Sequence, residues 1–321
     1  MLKLFKRTLA LSGVLFALQV SLHALLPGRD VPSPILLCEQ YLEEGRDIFY
    51  FGDSTLYRGD PKDTDARTVP ELFEDGLEGV SIGTIAHDAY SPVLYNAFIH
   101  YLADRPGRPK GVVIPIHLRS FSVEREQRPE SQFVREQYFL RHDRLVPRAF
   151  FRPFAALRIV DLTPIRSDAH LRMDVRDGEK SLGTVGDLLP QPGETLEGEV
   201  LEDFIRLCYF YRLTPEHRQL KALRALVETC IASDIVPMVY ITPIDVELGN
   251  ELLGEEFAAR VAENSAVIEA LMSKYQVPFF NFSGSFAHDN FVYDHFPDGY
   301  LNHGGKRNLA ERLIRTSRLM E

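Results

Sequence analysis

The stretch IFYFGDST, Ile48 to Thr55, runs a block of apolar and aromatic residues straight into Gly-Asp-Ser-Thr with no polar spacer. A short run rich in β-formers and stopped by Gly and Asp reads as a buried strand ending in a tight turn. That reading puts Ser54 at the carboxyl end of a core strand, where open α/β sheets keep their ligand sites. A hydroxyl delivered there is either a nucleophile or a helix cap.

Outward from this stretch, short apolar runs alternate with longer amphipathic ones. Strands are expected at Asp47–Gly52, Gly79–Gly83, Gly111–His117, Pro237–Ile241 and Pro278–Phe282. Helices are expected at Ser91–Asp104, Pro215–Ser233, Glu255–Tyr275 and Gly305–Met320. This alternation predicts an α/β domain: a doubly wound parallel sheet of about five strands with right-handed crossovers. The pattern fades over residues 123–213, where Arg, Pro and charged residues dominate. A tract that long is rarely structureless inside a compact domain, so it reads as a mid-chain insertion.

At the amino terminus, Lys3, Lys6 and Arg7 precede the uncharged run Thr8–Leu26. Nineteen such residues reach the length needed to cross a bilayer core. The run is longer than a signal-peptide core, and no clean small-x-small cleavage site follows it. Residues 1–28 are therefore expected to be a signal anchor. The alternative is a cleaved leader and a released enzyme. The cations ahead of the span place residues 29–321 outside the cytoplasm. A net charge of -10 argues against a nucleic-acid partner. Cys38, Cys208 and Cys230 have neither metal-ligand spacing nor a disulfide framework and read as buried thiols.

Gly52-Asp53-Ser54 after a first strand, Gly83 at the second, and LNHGG before the last helix together resemble the SGNH/GDSL hydrolase superfamily, whose sheet is flavodoxin-like. The resemblance covers roughly Asp47 to the end, apart from the insertion. It implies that Ser54 attacks an acyl carbonyl, with oxyanion donors from the Ser54 and Gly83 backbone and a third group on block three. His117 stands there in place of the usual asparagine, and its ring N–H can still donate. Asp53, Arg119, Ser120, His87 and Asp88 are further rim or binding candidates.

At the carboxyl terminus the family pattern places Tyr300 at the histidine position and Pro297 at the aspartate position. His295 and His303 flank them, with Asp294 and Asp298 as orienting carboxylates. Either histidine is a candidate base, and His295 is favoured because it shares its loop with both aspartates. The lone anchor and the LRSFS tract resemble membrane-anchored SGNH-like proteins that accompany membrane-bound O-acyltransferases, including D-alanyl-lipoteichoic-acid transfer proteins. The sequence reading is thus a single-pass protein of a bacterial cytoplasmic membrane with a periplasmic or extracytoplasmic domain. It would move or remove an acyl group on an envelope glycan or glycolipid, with no metal or organic cofactor. The competing reading is a catalytically inactive module that binds such a ligand or partners a membrane O-acyltransferase.

Overall fold

A computed structural model describes residues 2–25, 31–60, 62–127, 129–151, 173–175, 178–180 and 196–317. Five parallel strands form its sheet: β1 (Ile48–Gly52), β2 (Ile82–Ala86), β3 (Gly111–Ile116), β4 (Val236–Ile241) and β5 (Phe279–Asn281). Their spatial order is β2-β1-β3-β4-β5. The order reverses between β1 and β3, and such a switch point opens a crevice at the carboxyl edge.

The strands are apolar without alternation because both faces are covered. Phe49, Phe51, Val112, Ile114, Val239 and Ile241 face one core. It also holds Ile35 and Cys38 of one helix, and Leu94 and Phe98 of the helix Pro92–Ala103. Tyr50, Val113 and Tyr240 face the other, packed with Phe73 and with Leu309 and Leu313 of the last helix, His303–Ser317. The hydroxyls of Tyr50 and Tyr240 would be costly if unpaired there, and they bond each other at 2.6 Å.

The amino-terminal helix α1 (Leu2–Leu25) contains a 19-residue stretch, Lys3–Ser21, long and apolar enough to cross a membrane. A second helix, α2 (Ser33–Glu44), leads directly into β1. Between β3 and β4 the chain forms the helices Val123–Gln127, Val134–Arg141, Leu145–Ala149 and Gly198–Tyr209. Most of the expected insertion beyond 151 lies outside the described residues. The expected helix Glu255–Tyr275 is present as Glu256–Lys274, and a separate shorter helix, Val246–Leu253, precedes it, the two parted at Gly254 with φ +79.

Gly83 differs from its expected place. It lies inside β2, opposite Phe49 near the amino end, while Ala86 is the residue opposite Gly52. Three residues of strand, about 10 Å, separate Gly83 from the edge that holds Ser54, so its N–H is not an oxyanion donor. Its role is packing: a Cβ there would stand 2.6 Å from the Tyr41 ring of α2. Gly83→Ala is expected to cost about 1–3 kcal/mol through overpacking. Urea unfolding measures it; an unchanged midpoint would mean that Tyr41 yields freely.

All three cysteines are buried and unpaired. Burial pushes the thiols of Cys208 and Cys230 up to about 12, which makes them packing groups and not nucleophiles.

Candidate functional site

The turn after β1 is built by Asp53. Its Oδ1 accepts the backbone N–H of Thr55 at 2.9 Å and the Thr55 hydroxyl at 2.6 Å. This side-chain turn is why Asp follows the strand. It fixes Ser54 at the carboxyl edge, only 5% exposed.

The Ser54 hydroxyl has one side-chain partner among the described residues, the Tyr300 hydroxyl at 2.8 Å. Tyr300 reaches it because Gly299 lets the chain pass close over the ends of β3 and β4. A Cβ at Gly299 would fall 2.8 Å from the Pro243 carbonyl oxygen. Burial first, and the Asp298 charge second, push the Tyr300 phenol up to about 12. It is therefore neutral at physiological pH and cannot take the serine proton as a phenolate.

His117 follows β3 directly and lies across the switch point from Asp53. Its Nδ1 is 3.3 Å from Asp53 Oδ2, and its Nε2 is 3.1 Å from Asp298 Oδ1. The second contact is ionic, too poorly aligned to count as a hydrogen bond. Burial alone would push this imidazole down, but the two carboxylates outweigh it and hold it up at about 9. The same cation keeps Asp53 and Asp298 below the usual carboxylate range despite their burial. His117 is thus an imidazolium at neutral pH, enclosed by two carboxylates.

Asp298 also accepts from Arg119 Nη1 at 2.9 Å and from the Gly299 N–H at 2.8 Å. Arg119 continues the network to Glu124, 3.3 Å from its Nε. Its guanidinium lies over the Phe204 and Phe296 rings, 5.5 and 5.2 Å from their centroids. Ser120 spends its hydroxyl on the His117 carbonyl at 2.6 Å. Arg119 and Ser120 therefore brace the site from beneath.

The two candidate bases stand apart from Ser54. His295 is exposed and pairs with Asp294 at 3.1 Å. His303 opens the last helix and pairs with Asp63 at 3.1 Å. Neither bonds the serine, because each imidazole is already held on the outer surface by its own carboxylate. Asp298 orients His117 in place of a histidine serving Ser54, which no reading of the sequence anticipated. Asp294 serves only the exposed His295.

Around the cleft, the Tyr57 hydroxyl and the Arg58 guanidinium both bond Asp88. Tyr293 packs edge-on to Tyr300 with ring centroids 5.3 Å apart. His87 stacks on Tyr90, with Phe133 beside it. The rim is thus aromatic and polar around a buried charged floor. Two open concavities of about 500 and about 340 Å³ lie elsewhere, along the helix Pro92–Ala103, and include none of these residues. Among the described residues no cluster of His, Cys, Asp and Glu could hold a metal ion. No family model and no curated protein matches the chain.

Proposed function

We propose that the chain is a membrane-anchored, SGNH-like module that binds an acylated glycan or glycolipid at the mouth of its sheet without running serine hydrolysis. The observation that carries this reading is the Ser54–Tyr300 bond at 2.8 Å. A phenol raised to about 12 occupies the position from which a base would act. A serine hydroxyl is a weak nucleophile without a base, so Ser54 is left as a hydrogen-bonding group. His117 cannot substitute, since both of its nitrogens face carboxylates and it carries its proton already.

The rim supplies what such a ligand needs. Tyr57 and Tyr293 offer exposed aromatic faces, 42% and 37% accessible, and Arg58 and Asp88 offer charged hydrogen-bonding groups. Partnership with a membrane-bound O-acyltransferase fits the same reading, since an enzyme of that class would supply the acyl chemistry absent here. A second reading, an acyl transferase using Ser54 with His295 or His303 as base, is favoured by one observation: Ser54 stands at the carboxyl end of β1, where a nucleophile would be presented. It requires a histidine to leave its surface carboxylate.

Two measurements test the proposal on the full-length protein. Hydrolysis of p-nitrophenyl acetate should be equal for wild type and Ser54→Ala. Binding of an O-acetylated oligosaccharide should weaken at least tenfold in Tyr57→Ala, a rim aromatic of the kind that dominates binding sites. Ser54-dependent hydrolysis would establish the second reading, and absence of binding would sink the first.

A further inference from the structure

We propose that residues 145–151, docked on α1, seat the amino edge of the sheet on the bilayer that α1 enters, so that the Ser54–Tyr300 cleft opens away from the membrane. Its ligand is then a glycan strand arriving from the aqueous side, not a lipid of the anchoring membrane. The orientation rests on reading α1 as an anchor, and the ligand class rests on the binding function proposed above.

Gln19 of α1 donates to the Ala149 carbonyl at 3.0 Å, and the Phe16 ring stacks on Phe150 with centroids 4.6 Å apart. Each partner has a reason to be there. Ala149 closes the helix Leu145–Ala149, so its carbonyl has no N–H one turn further on within that helix. Gln19 stands in the apolar stretch Lys3–Ser21, where an unpaired amide in lipid would be costly. The domain supplies its acceptor. At helical rise Phe16 and Gln19 lie about 8 and 3 Å short of Ser21, where the stretch ends. Ala149 and Phe150 therefore stand at headgroup depth, where apolar side chains of interfacial segments insert. Arg141 and Arg144, exposed just ahead of them, are suited to lipid phosphates.

This segment lies at the amino edge of the sheet. Arg148 pairs with Glu39 at 3.1 Å, and Glu39 also accepts the Tyr101 hydroxyl at 2.9 Å. Tyr101 is in the last turn of the helix Pro92–Ala103, and Arg105, just past its end, pairs with Asp143 at 2.9 Å. The chain turns back there to start β3 at Gly111, and the Leu42 carbonyl of α2 lies against Gly107 in the same connection. Ser54 is at the opposite edge. The five residues of β1 alone hold the two edges about 17 Å apart.

The amino edge is of mixed charge, with Glu43, Glu44, Arg108 and Lys110 exposed. Attachment therefore comes from α1 and residues 145–151, not from a basic face. At the other edge the rim groups Tyr57, Arg58 and Tyr293 are left open to the aqueous space.

The test places one fluorophore at each edge of the sheet in the full-length chain, through Glu43→Cys at the amino edge and Asp294→Cys beside the cleft. Both positions are exposed, and the native thiols are buried. The protein is reconstituted in phosphatidylglycerol–phosphatidylethanolamine vesicles with headgroup spin-labelled lipid in both leaflets. Quenching at position 43 should exceed that at position 294 at least threefold. Equal quenching, or stronger quenching at 294, would overturn the orientation, and failure to float with the vesicles would overturn it through the anchor. The double variant Phe16→Ala, Gln19→Leu changes α1 alone and should lower the ratio at least twofold in protein that still floats. An unchanged ratio would overturn the role of residues 145–151. Affinity for a soluble O-acetylated oligosaccharide should agree within twofold between vesicles and detergent. A tenfold loss in vesicles would mean that the membrane closes the cleft. Absence of binding in both would remove the ligand class along with the binding function, while the quenching ratio reads the orientation without any ligand.

Discussion

Replacing His117 by Ala is expected to destabilise the protein by about 3–5 kcal/mol, the loss seen when one partner of a buried ionic cluster is removed. Asp53 and Asp298 are 7% and 5% exposed, and without the imidazolium Asp53 loses the cation it pairs with and Asp298 loses one of its two. Arg119 would still hold one oxygen of Asp298, and Thr55 would still hold Asp53, which keeps the loss within that range. His295→Ala and His303→Ala should change stability by no more than about 0.5 kcal/mol, because both side chains are exposed. Urea unfolding at pH 6 separates the cases.

The same cluster sets a pH dependence. The His117 pKa is raised from 6.5 to about 9 on folding, so its contribution is fully present below pH 6.5 and is lost as pH rises through 9. A shift of that size corresponds to about 3 kcal/mol. Asp53 and Asp298 are shifted down from 3.8, so their contributions hold above that value and fade as pH falls through their folded pKa values. Stability from this cluster should therefore be greatest between about pH 4 and 6.5. In His117→Ala the loss of stability between pH 6.5 and 9 should disappear. A wild-type profile flat over that interval would mean that His117 is neutral when folded.

The second large effect is a gain. Tyr300→His should raise the rate at which Ser54 reacts with a fluorophosphonate by about 10²-fold or more, the range that a positioned general base supplies. The phenol oxygen already lies 2.8 Å from Ser54 Oγ, so position 300 is the point from which a base would act. An imidazole is shorter than a phenol, and the 298–302 loop must close inward to bring its nitrogen to the serine. Adding Pro297→Asp supplies an orienting carboxylate three residues ahead, which should raise the rate further by fixing the tautomer. Intact-protein mass spectrometry over a time course gives the rates. If both variants fold and neither reacts faster than wild type, the cleft is not arranged for acyl chemistry.

The parts of this molecule legible in its sequence are those governed by local pattern. IFYFGDST could be read because a strand buried on both faces must be apolar at every position, and because Asp before Ser-Thr can close its own turn. Helix α2 was not anticipated. Its Ser33-Pro34 start closes the proline-rich run PGRDVPSP, yet Pro34 sits in the first turn, where no N–H is required. In the sequence Gly79 and Gly83 read as the bounds of β2, three residues ahead of its true span, Ile82–Ala86. In the fold Gly83 lies within the strand to admit the Tyr41 ring, a tertiary contact with no local signal.

The site was legible as a list of residues but not as a set of pairings. Tyr300 stands at the histidine position of the superfamily that the sequence resembles, which points to an altered centre, but its bond to Ser54 spans 246 residues of chain. In the sequence His117 reads as a ring N–H donor standing where an asparagine is usual. Only the convergence of Asp53 and Asp298 on its two nitrogens makes it a fixed cation. His295 and His303 attracted attention because they flank the motif, but sequence does not disclose that Asp294 and Asp63 hold them at the surface.

The most direct measurement is the labelling of wild-type protein by a fluorophosphonate at pH 7, read by intact mass beside Ser54→Ala. The account predicts no Ser54-dependent adduct, because a neutral phenol fills the position of the base. A stoichiometric adduct on wild type that is lost in Ser54→Ala would show that an imidazole reaches the serine and would contradict it.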